Sequence, residues 1–392
     1  MIRPAQLAIL LIWGASASSV LAADEEAYEF VRELRILQDQ AVLRGRGTPA
    51  QQREEFVKIG ARLAEFGPRV WTEPKNARAI VIFVLSGGDP RVLRNLIGRG
   101  VAFGIDKQLV LAALAYAERR DDEAIKLLEG LDLNSLDTSI AGHVALVHAL
   151  LIEKKDPPKA STLLDMARIL SSGTVVEEAA LRRQTIMEAK AQKFDAFETL
   201  ASQYFRRFPN SIFASSFRRQ FAEEVVAPIY ASEPKRLSQL DSMLRGLREN
   251  DRHNVCLLIA EEGIAIGNVE MVRFAARMAA LKSASPDALR MQLYEAAATM
   301  VTEESDKGLV ALKSINRSML GDRDRELLDA ANAVALEVRR PPRPVSSADA
   351  EPEADAEASP QGEPGETPAS SRIARAEEMI ADVDKLLNEA IR

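Results

Sequence analysis

The stretch "AERRDDEAIKLLEGL", residues Ala117 to Leu131, crowds acidic and basic side chains around a short apolar stripe. Either Asp121, Asp122 and Glu123 form a carboxylate cluster fit for chemistry, or they are the polar turn of a helical hairpin. Two further stretches decide between these readings. "IEKKDPPKASTLL" and "EAKAQKFDAFETL" line up with "AYAERRDDEAIKLL" so that Ala124, Ala160 and Ala196 fall at equivalent places, at steps of 36 residues. Each alanine follows a polar or proline-containing break and precedes an apolar pair. A unit of this length suits a helix, a tight turn and a second helix, the period of tetratricopeptide-like arrays. The small alanine lets the second helix approach the first, and the apolar residues three or four later share its face. A lone hairpin cannot bury such a stripe, so neighbouring units must stack. On this reading Asp121 and Asp122 sit at the turn, where Asp caps helices and offsets the positive end of the helix dipole.

Three looser matches extend the pattern. "VLSGGDPRVLRNLI" centres near Val92, "AIGNVEMVRFAARMA" near Val272 and "EESDKGLVALKSI" near Gly308. Local punctuation agrees. In "GGDPRVL", Gly87 and Gly88 close one helix, Asp89 caps the next and Pro90 takes its first position. "SASPDALR" repeats the device with Ser285 and Pro286. "IVIFVL", Ile80 to Leu85, has strand-like composition but no partner strand nearby, so it reads as a helix buried all round. Glu25 to Arg44 and Gln51 to Phe66 show helical periodicity on either side of "RGRGTP" and read as an N-terminal hairpin cap. Pro228 and "SEPKR" break the repeat, placing a divergent unit or a joint near residues 228–250.

The expected fold is therefore all-α, a solenoid of tetratricopeptide-like hairpins over residues 69–338, preceded by the hairpin cap at 23–68. Composition fits: of 392 residues 47% are hydrophobic, enough for a large core, and only 5% are aromatic. Ahead of the cap, Arg3 and the apolar run from Leu7 to Trp13 read as a secretory signal. Val20 and Ala22 satisfy the small-residue rule, so cleavage is expected after Ala22. The run is too short to span a bilayer comfortably. The mature chain is thus expected to be exported and soluble, with no membrane insertion after cleavage. Beyond Arg340 the sequence turns to Pro, Ala, Ser and Glu, with seven acids and no base between Arg343 and Arg372. Such a segment buries too little apolar area to offset chain entropy, so residues 339–371 read as a disordered acidic linker. Helical spacing returns at 372–392, where Ile373, Ala376, Ile380, Val383 and Leu387 form one stripe of an amphipathic helix. It docks on the array or pairs with another chain.

Little in the sequence speaks for chemistry. The net charge of −7, from 51 bases against 58 acids, argues against non-specific nucleic-acid binding. Cys256 is the single cysteine and lies on an apolar helical stretch, so it reads as a small buried hydrophobe. His143 and His148 are five apart, about 140° round a helix, rather than on one face as a metal pair requires. "GRGVAFG" and "GIAIG" lack the strand before and the Lys-Ser/Thr after that a phosphate loop needs. No nucleophile elbow or Ser-His-Asp set can be placed. No catalytic, cofactor-binding or metal-binding residue is assigned, and no cofactor is expected.

Recognition is the better prospect. "YFRRFPNSIFASSFRRQFA" carries Phe205, Arg206 and Arg207, then Phe217, Arg218 and Arg219, the mixture of arginine and aromatic side chains common at binding hot spots. These six are the candidate partner-binding residues. The plainer alternative makes the phenylalanines core and the arginines a solvated face.

Two long strings point further. "LAYAERRDDEAIKLLEGLDLNSLDTSIAGHVALVHALL" and "GTVVEEAALRRQTIMEAKAQKFDAFETLASQYFRRFPNSIFASSFRRQFA" resemble the MotC family of periplasmic motility proteins in flagellated bacteria. The resemblance runs from the exported N-terminus to about residue 335. It implies a periplasmic component of the flagellar motor that supports rotation by associating with the periplasmic part of the stator protein MotB. It carries over no catalytic signature and no binding motif that fixes individual residues. Two rivals remain: a general tetratricopeptide-like adaptor in envelope assembly, and a peptidoglycan-acting superhelical enzyme. The second needs a globular domain with a catalytic Glu, which the chain after the array does not offer.

Overall fold

The computed structural model describes residues 26–279 and 286–338. The chain divides into units 1–339 and 340–392, and every described residue belongs to the first. The expected signal (1–22), Ser285, the acidic linker (339–371) and the last helix (372–392) lie outside the described residues.

Among the described residues the regular structure is helical throughout. The N-terminal hairpin pairs α1 (Ala27–Arg44) with α2 (Pro49–Glu65). Thr48 starts α2 with a capping box: its hydroxyl accepts from Gln51 N–H while the Gln51 side chain accepts from Thr48 N–H, and Pro49 follows at the first position. Next come α3 (Pro74–Leu85) and α4 (Pro90–Gly98). The β-branched run does lie in a helix, since Ala79 through Leu85 are all buried in α3. The Gly-Gly-Asp-Pro device works as expected, with Gly87 at φ +104° and the Asp89 side chain accepting from Arg91 N–H.

Successive hairpins follow. They are α5 (Lys107–Ala117) with α6 (Asp121–Glu129), α7 (Thr138–Ile152) with α8 (Pro157–Leu170), and α9 (Val175–Lys190) with α10 (Phe194–Arg207). The sequence break near 228–250 is a divergent unit: α11 (Ala214–Val225), the single turn α12 (Pro228–Ala231) and α13 (Pro234–Arg245). The core does not break there, because Leu240 and Leu244 join the same apolar cluster as Phe221 before them and Val255 after. Two more hairpins, α14 (Glu249–Ala265) with α15 (Val269–Ala279) and α16 (Pro286–Thr299) with α17 (Ser305–Ser314), lead to α18 (Asp322–Val338). First helices pack on first helices along the chain: α3 on both α5 and α7, then α7 on α9, α9 on α11, α11 on α14, α14 on α16 and α16 on α18.

The register of the hairpins is set at the fourth residue of each second helix. Ala124, Ala160, Phe197, Val272 and Gly308 hold that place, each donating its N–H to the carbonyl of the residue that caps the helix. All five are buried. Val272 and Gly308 are the centres expected from sequence; in α4 the fully buried fourth residue is Leu93, one beyond Val92. Ala196 is the correction. It is only half-buried, and Phe197 beside it makes the contact. A match made on small side chains slips there because this unit solves its packing with a ring. Phe197 stacks on Phe221 with centroids 5.3 Å apart and meets Tyr230 edge-on at 6.1 Å. Elsewhere, size is traded across the hairpin. Opposite Val272 stands Gly263, where an added Cβ would lie 3.0 Å from the valine methyl, and a Cβ on Gly308 would lie 3.0 Å from the Ala296 carbonyl oxygen.

The opening turn is also corrected in detail. Asp121 and Asp122 do not cap α6; Arg120 does, without a side-chain bond. Asp121, Asp122 and Glu123 form the first turn of the helix, where their charge opposes the positive end of the dipole. Arg119 there adopts φ +62°, and Gln192 takes φ +57° at the matching turn between α9 and α10. Both turns close alike, with Arg120 N–H donating to Ala115 C=O and Lys193 N–H to Glu188 C=O.

If the fourth-residue contact sets the helix approach, Ala160→Leu overpacks it and should cost about 1–3 kcal/mol. Ala196→Leu, one residue off the contact, should stay within about 0.5 kcal/mol of the parent. Urea unfolding of both variants reads this; equal losses would discard the register.

Candidate partner-binding surfaces

The row of first helices presents one long face, and the chain covers part of it with its own α1. The crossing can be followed contact by contact. Tyr28 N–H donates to Asn76 Oδ1 at 3.0 Å, at the start of α3. Arg35 lies close enough to act electrostatically on His143 in α7. Asp39 Oδ1 accepts from Val175 N–H at 2.8 Å, at the start of α9. Ala41 C=O accepts from Ile212 N–H, just before α11. There Gly45, at φ +64°, lies so close that an added Cβ would be 2.5 Å from the Asn210 carbonyl oxygen. Ala27, Val31, Leu34, Ala41 and Val42 are buried along the way. The N-terminal hairpin is therefore no simple end cap: its first helix ties α3 to α9.

A cleft of about 570 Å³ crosses α11, α14 and α16, floored by Leu257 and Leu258 and edged by Arg218, Arg219, Asp287 and Arg290. Ion pairs lace this stretch. Arg218 donates to Asp251 at 2.8 Å, Arg219 to Glu262 at 2.9 Å, Arg323 reaches Glu261 at 2.6 Å and Arg290 reaches Asp324 at 3.1 Å. Burial is the main force raising the Glu262 carboxyl above the usual carboxylate range; Arg219 opposes it, and Glu223 and Glu261 add to it.

The six residues picked from sequence do not form one patch. Phe205 and Phe217 are buried, their rings 5.3 Å apart in an aromatic cluster with Tyr204 and Phe221, and of the two only Phe205 shows an edge to a cleft, the one that Arg206 also lines. Arg206 edges a separate cleft with Arg248. Arg207 turns towards α9 and donates to Glu177 at 2.6 Å. Only Arg218 and Arg219 reach the open cleft. The other cleft residues, Asn254 and Arg290 among them, sit on later helices, and no local motif in the sequence joins them to the arginines.

Three buried carboxylates are each satisfied by a tyrosine hydroxyl, and sequence reading found none of them. Tyr204 donates to Glu178 at 2.6 Å, Tyr230 to Glu198 at 2.8 Å and Tyr294 to Asp324 at 2.9 Å, with Arg182, Arg236 and Arg290 alongside. Each set joins elements that are not partners in a hairpin or fixes the pairing within one. Burial lifts Glu198 above its ordinary pKa, with Tyr230 and Arg236 opposing. These are latches of the fold, not sites of chemistry.

Glycine-rich stretches and histidines are likewise structural. Gly104 N–H donates to Trp71 C=O at 2.9 Å, and Gly263 sits inside α14. Cys256 is fully buried, which pushes its thiol up to about 12. Among the described residues no group of three or more His, Cys, Asp or Glu could hold a metal ion, and no helix is long and apolar enough to cross a membrane. His143 and His148 are buried, with Nδ1 of each lacking a hydrogen-bond partner. Burial, helped by Arg35, drives His143 down to about 3.

A stack of paired helices that meets its surroundings through long ionic and apolar faces defines an all-helical scaffold. The chain matches the family model described as "Chemotaxis protein MotC" over residues 2–392, and it belongs to the MotC family. One relative, the chemotaxis protein MotC of Rhizobium meliloti (strain 1021), is 30% identical over 327 residues, covering 82% of this chain and 74% of that protein. No solved structure matches the chain.

Two outcomes follow from the buried polar groups. Tyr230→Phe strips Glu198 of its hydroxyl donor and should cost about 1–3 kcal/mol in urea unfolding, while a cost below about 0.5 kcal/mol would show that the latch is idle. For His143, the unfolded chain binds a proton near pH 6.5 that the folded chain refuses until about pH 3. Stability is therefore full above pH 6.5 and falls as pH drops, by about 1.4 kcal/mol per unit below pH 6. His143→Leu should flatten that slope between pH 6 and 5, leaving the part due to His148, which burial also shifts downwards. An unchanged slope would mean that His143 protonates without opening the fold.

Proposed function

We propose that this protein is a periplasmic, tetratricopeptide-like helical scaffold, without catalytic activity, that supports flagellar rotation by binding the periplasmic part of the stator protein MotB. The observation that carries this reading is the family match, which spans residues 2–392 rather than a single module. The architecture supports it. Paired helices packed in a row give a stiff body, and the cleft across α11, α14 and α16 is lined for recognition. On this reading residues 1–22 are the export signal, 69–338 the array, 339–371 an acidic tether and 372–392 a second, amphipathic contact element.

Such a body needs no chemistry to act on a motor. A stator unit that exchanges between idle and engaged forms is shifted toward whichever form the scaffold binds more tightly, by no more than the difference in affinity. A hundredfold preference, about 2.7 kcal/mol, is enough to turn an equal mixture almost wholly to one form. Deletion of the gene should leave flagella assembled but paralysed or slow, as scored by filament staining together with tracking of swimming cells. Loss of filaments would move the protein from motor output to assembly and overturn the proposal.

A further inference from the structure

The helices that α1 packs on and those that line the cleft belong to one row, and this continuity points to what the cleft accepts. The 18-residue α1 packs on α3 and α9 and ends against Asn210 and Ile212, immediately before α11. Among the described residues no helix crosses α11, α14 and α16 in that way, and the cleft begins at the next residues, Ser215 and Ser216. Its dimensions suit a helix. Neighbouring helix axes lie about 8–10 Å apart, so three of them offer roughly 25 Å. At 1.5 Å per residue that takes about 16 residues, close to the length of α1.

We infer that a helical segment of a partner protein lies across α11, α14 and α16, its apolar face on Leu257 and Leu258 and a carboxylate on Arg219. The inference rests on the partner-binding reading above and names the surface. Leu257 is buried, Leu258 is half-buried and Asn254 is exposed, which gives an apolar floor with open access. Arg219 is the exposed base of the cleft, 44% accessible, and is held by Glu262 and more distantly by Glu261. Glu262 is crowded by Glu223 and Glu261 and already raised by burial, so it is the weaker competitor for that guanidinium. A partner carboxylate arriving from solvent pairs with the exposed side of the Arg219 guanidinium, while Glu262 keeps its own contact. The α1 of a second copy is a poor occupant, because its apolar side is spent on α3 and α9 of its own chain.

The test places a photo-crosslinking amino acid at Asn254 or Ser216 of the full chain in swimming cells, with Ile169 on α8, 77% exposed, as the control position. Crosslinked peptides are then mapped by mass. The expected result is a product from Asn254 and Ser216, but not from Ile169, joined to one segment of a partner. Arg219→Glu should reduce its yield about tenfold, as the loss of about 1.4 kcal/mol of binding predicts. Ser216→Trp, which fills the cleft without touching the ion pairs, should do the same, and circular dichroism melts of both variants separate this from unfolding. A segment within MotB upholds both the surface and the stator reading. A helical segment of a different protein upholds the surface and ends the stator reading. No product at the cleft, or products joined only to a second copy or to this chain itself, overturns the surface and leaves the stator reading to the swimming assay.

Discussion

Everything in this molecule depends on how closely the second helix of each pair can approach the first. A two-helix unit has too little apolar surface to stand alone, so its stability comes from neighbours, and neighbours fit only if each unit has the same thickness. The fourth residue of the second helix is where that thickness is set. Ala124 and Ala160 meet the requirement with a methyl group, Gly308 with none, and Val272 by facing Gly263. Phe197 breaks the rule of small size, and its neighbourhood changes to match: the next unit splits into α11, α12 and α13, and Phe221 and Tyr230 close round the ring.

Stacking of this kind passes stability only between adjacent units, and left to itself it would let the ends fray. Two devices counter that. The latches at Tyr204, Tyr230 and Tyr294 give buried carboxylates a donor, and so make each local arrangement costly to leave. The more far-reaching device is α1. By accepting from Val175 with Asp39 and from Ile212 with Ala41, it joins segments more than 130 residues apart in sequence. Ahead of those anchors, Arg35 brings its charge near the buried His143. The exposed pairs between turns, such as Lys155 with Asp122 at 2.8 Å, add little by comparison, since both partners remain largely in water.

What the sequence made legible was whatever repeats or punctuates locally. The helical hairpins, the Gly-Gly-Asp-Pro start of α4 and the buried helix at Ile80 to Leu85 follow from a few adjacent residues. The match at Ala196 failed because a search for small residues cannot see a contact made by a ring one position on. Asp121 and Asp122 were placed at the right turn, but the cap itself fell to Arg120, whose backbone does the work. The six arginine and phenylalanine residues could not be sorted, since Phe205 and Arg206 differ in burial only through what α11 and α14 bring against them. The course of α1 was invisible for the same reason: its apolar stripe announces a helix but not which helices it crosses.

That course bears on how such a scaffold can be selective. A continuous face along all the first helices would accept many amphipathic segments, in any of several registers. Here part of it is filled by α1, which packs on α3 and α9 and whose C-terminal glycine stops hard against Asn210. The remainder is therefore bounded at one end by the chain's own backbone, and along its length by arginines already matched to acids. On the proposed reading, an incoming segment has to fit between those limits and bring a carboxylate to an arginine that already has an acid partner. A segment without one would bury the exposed side of that arginine unpaired, which is where discrimination would arise even when the apolar contact is equally good.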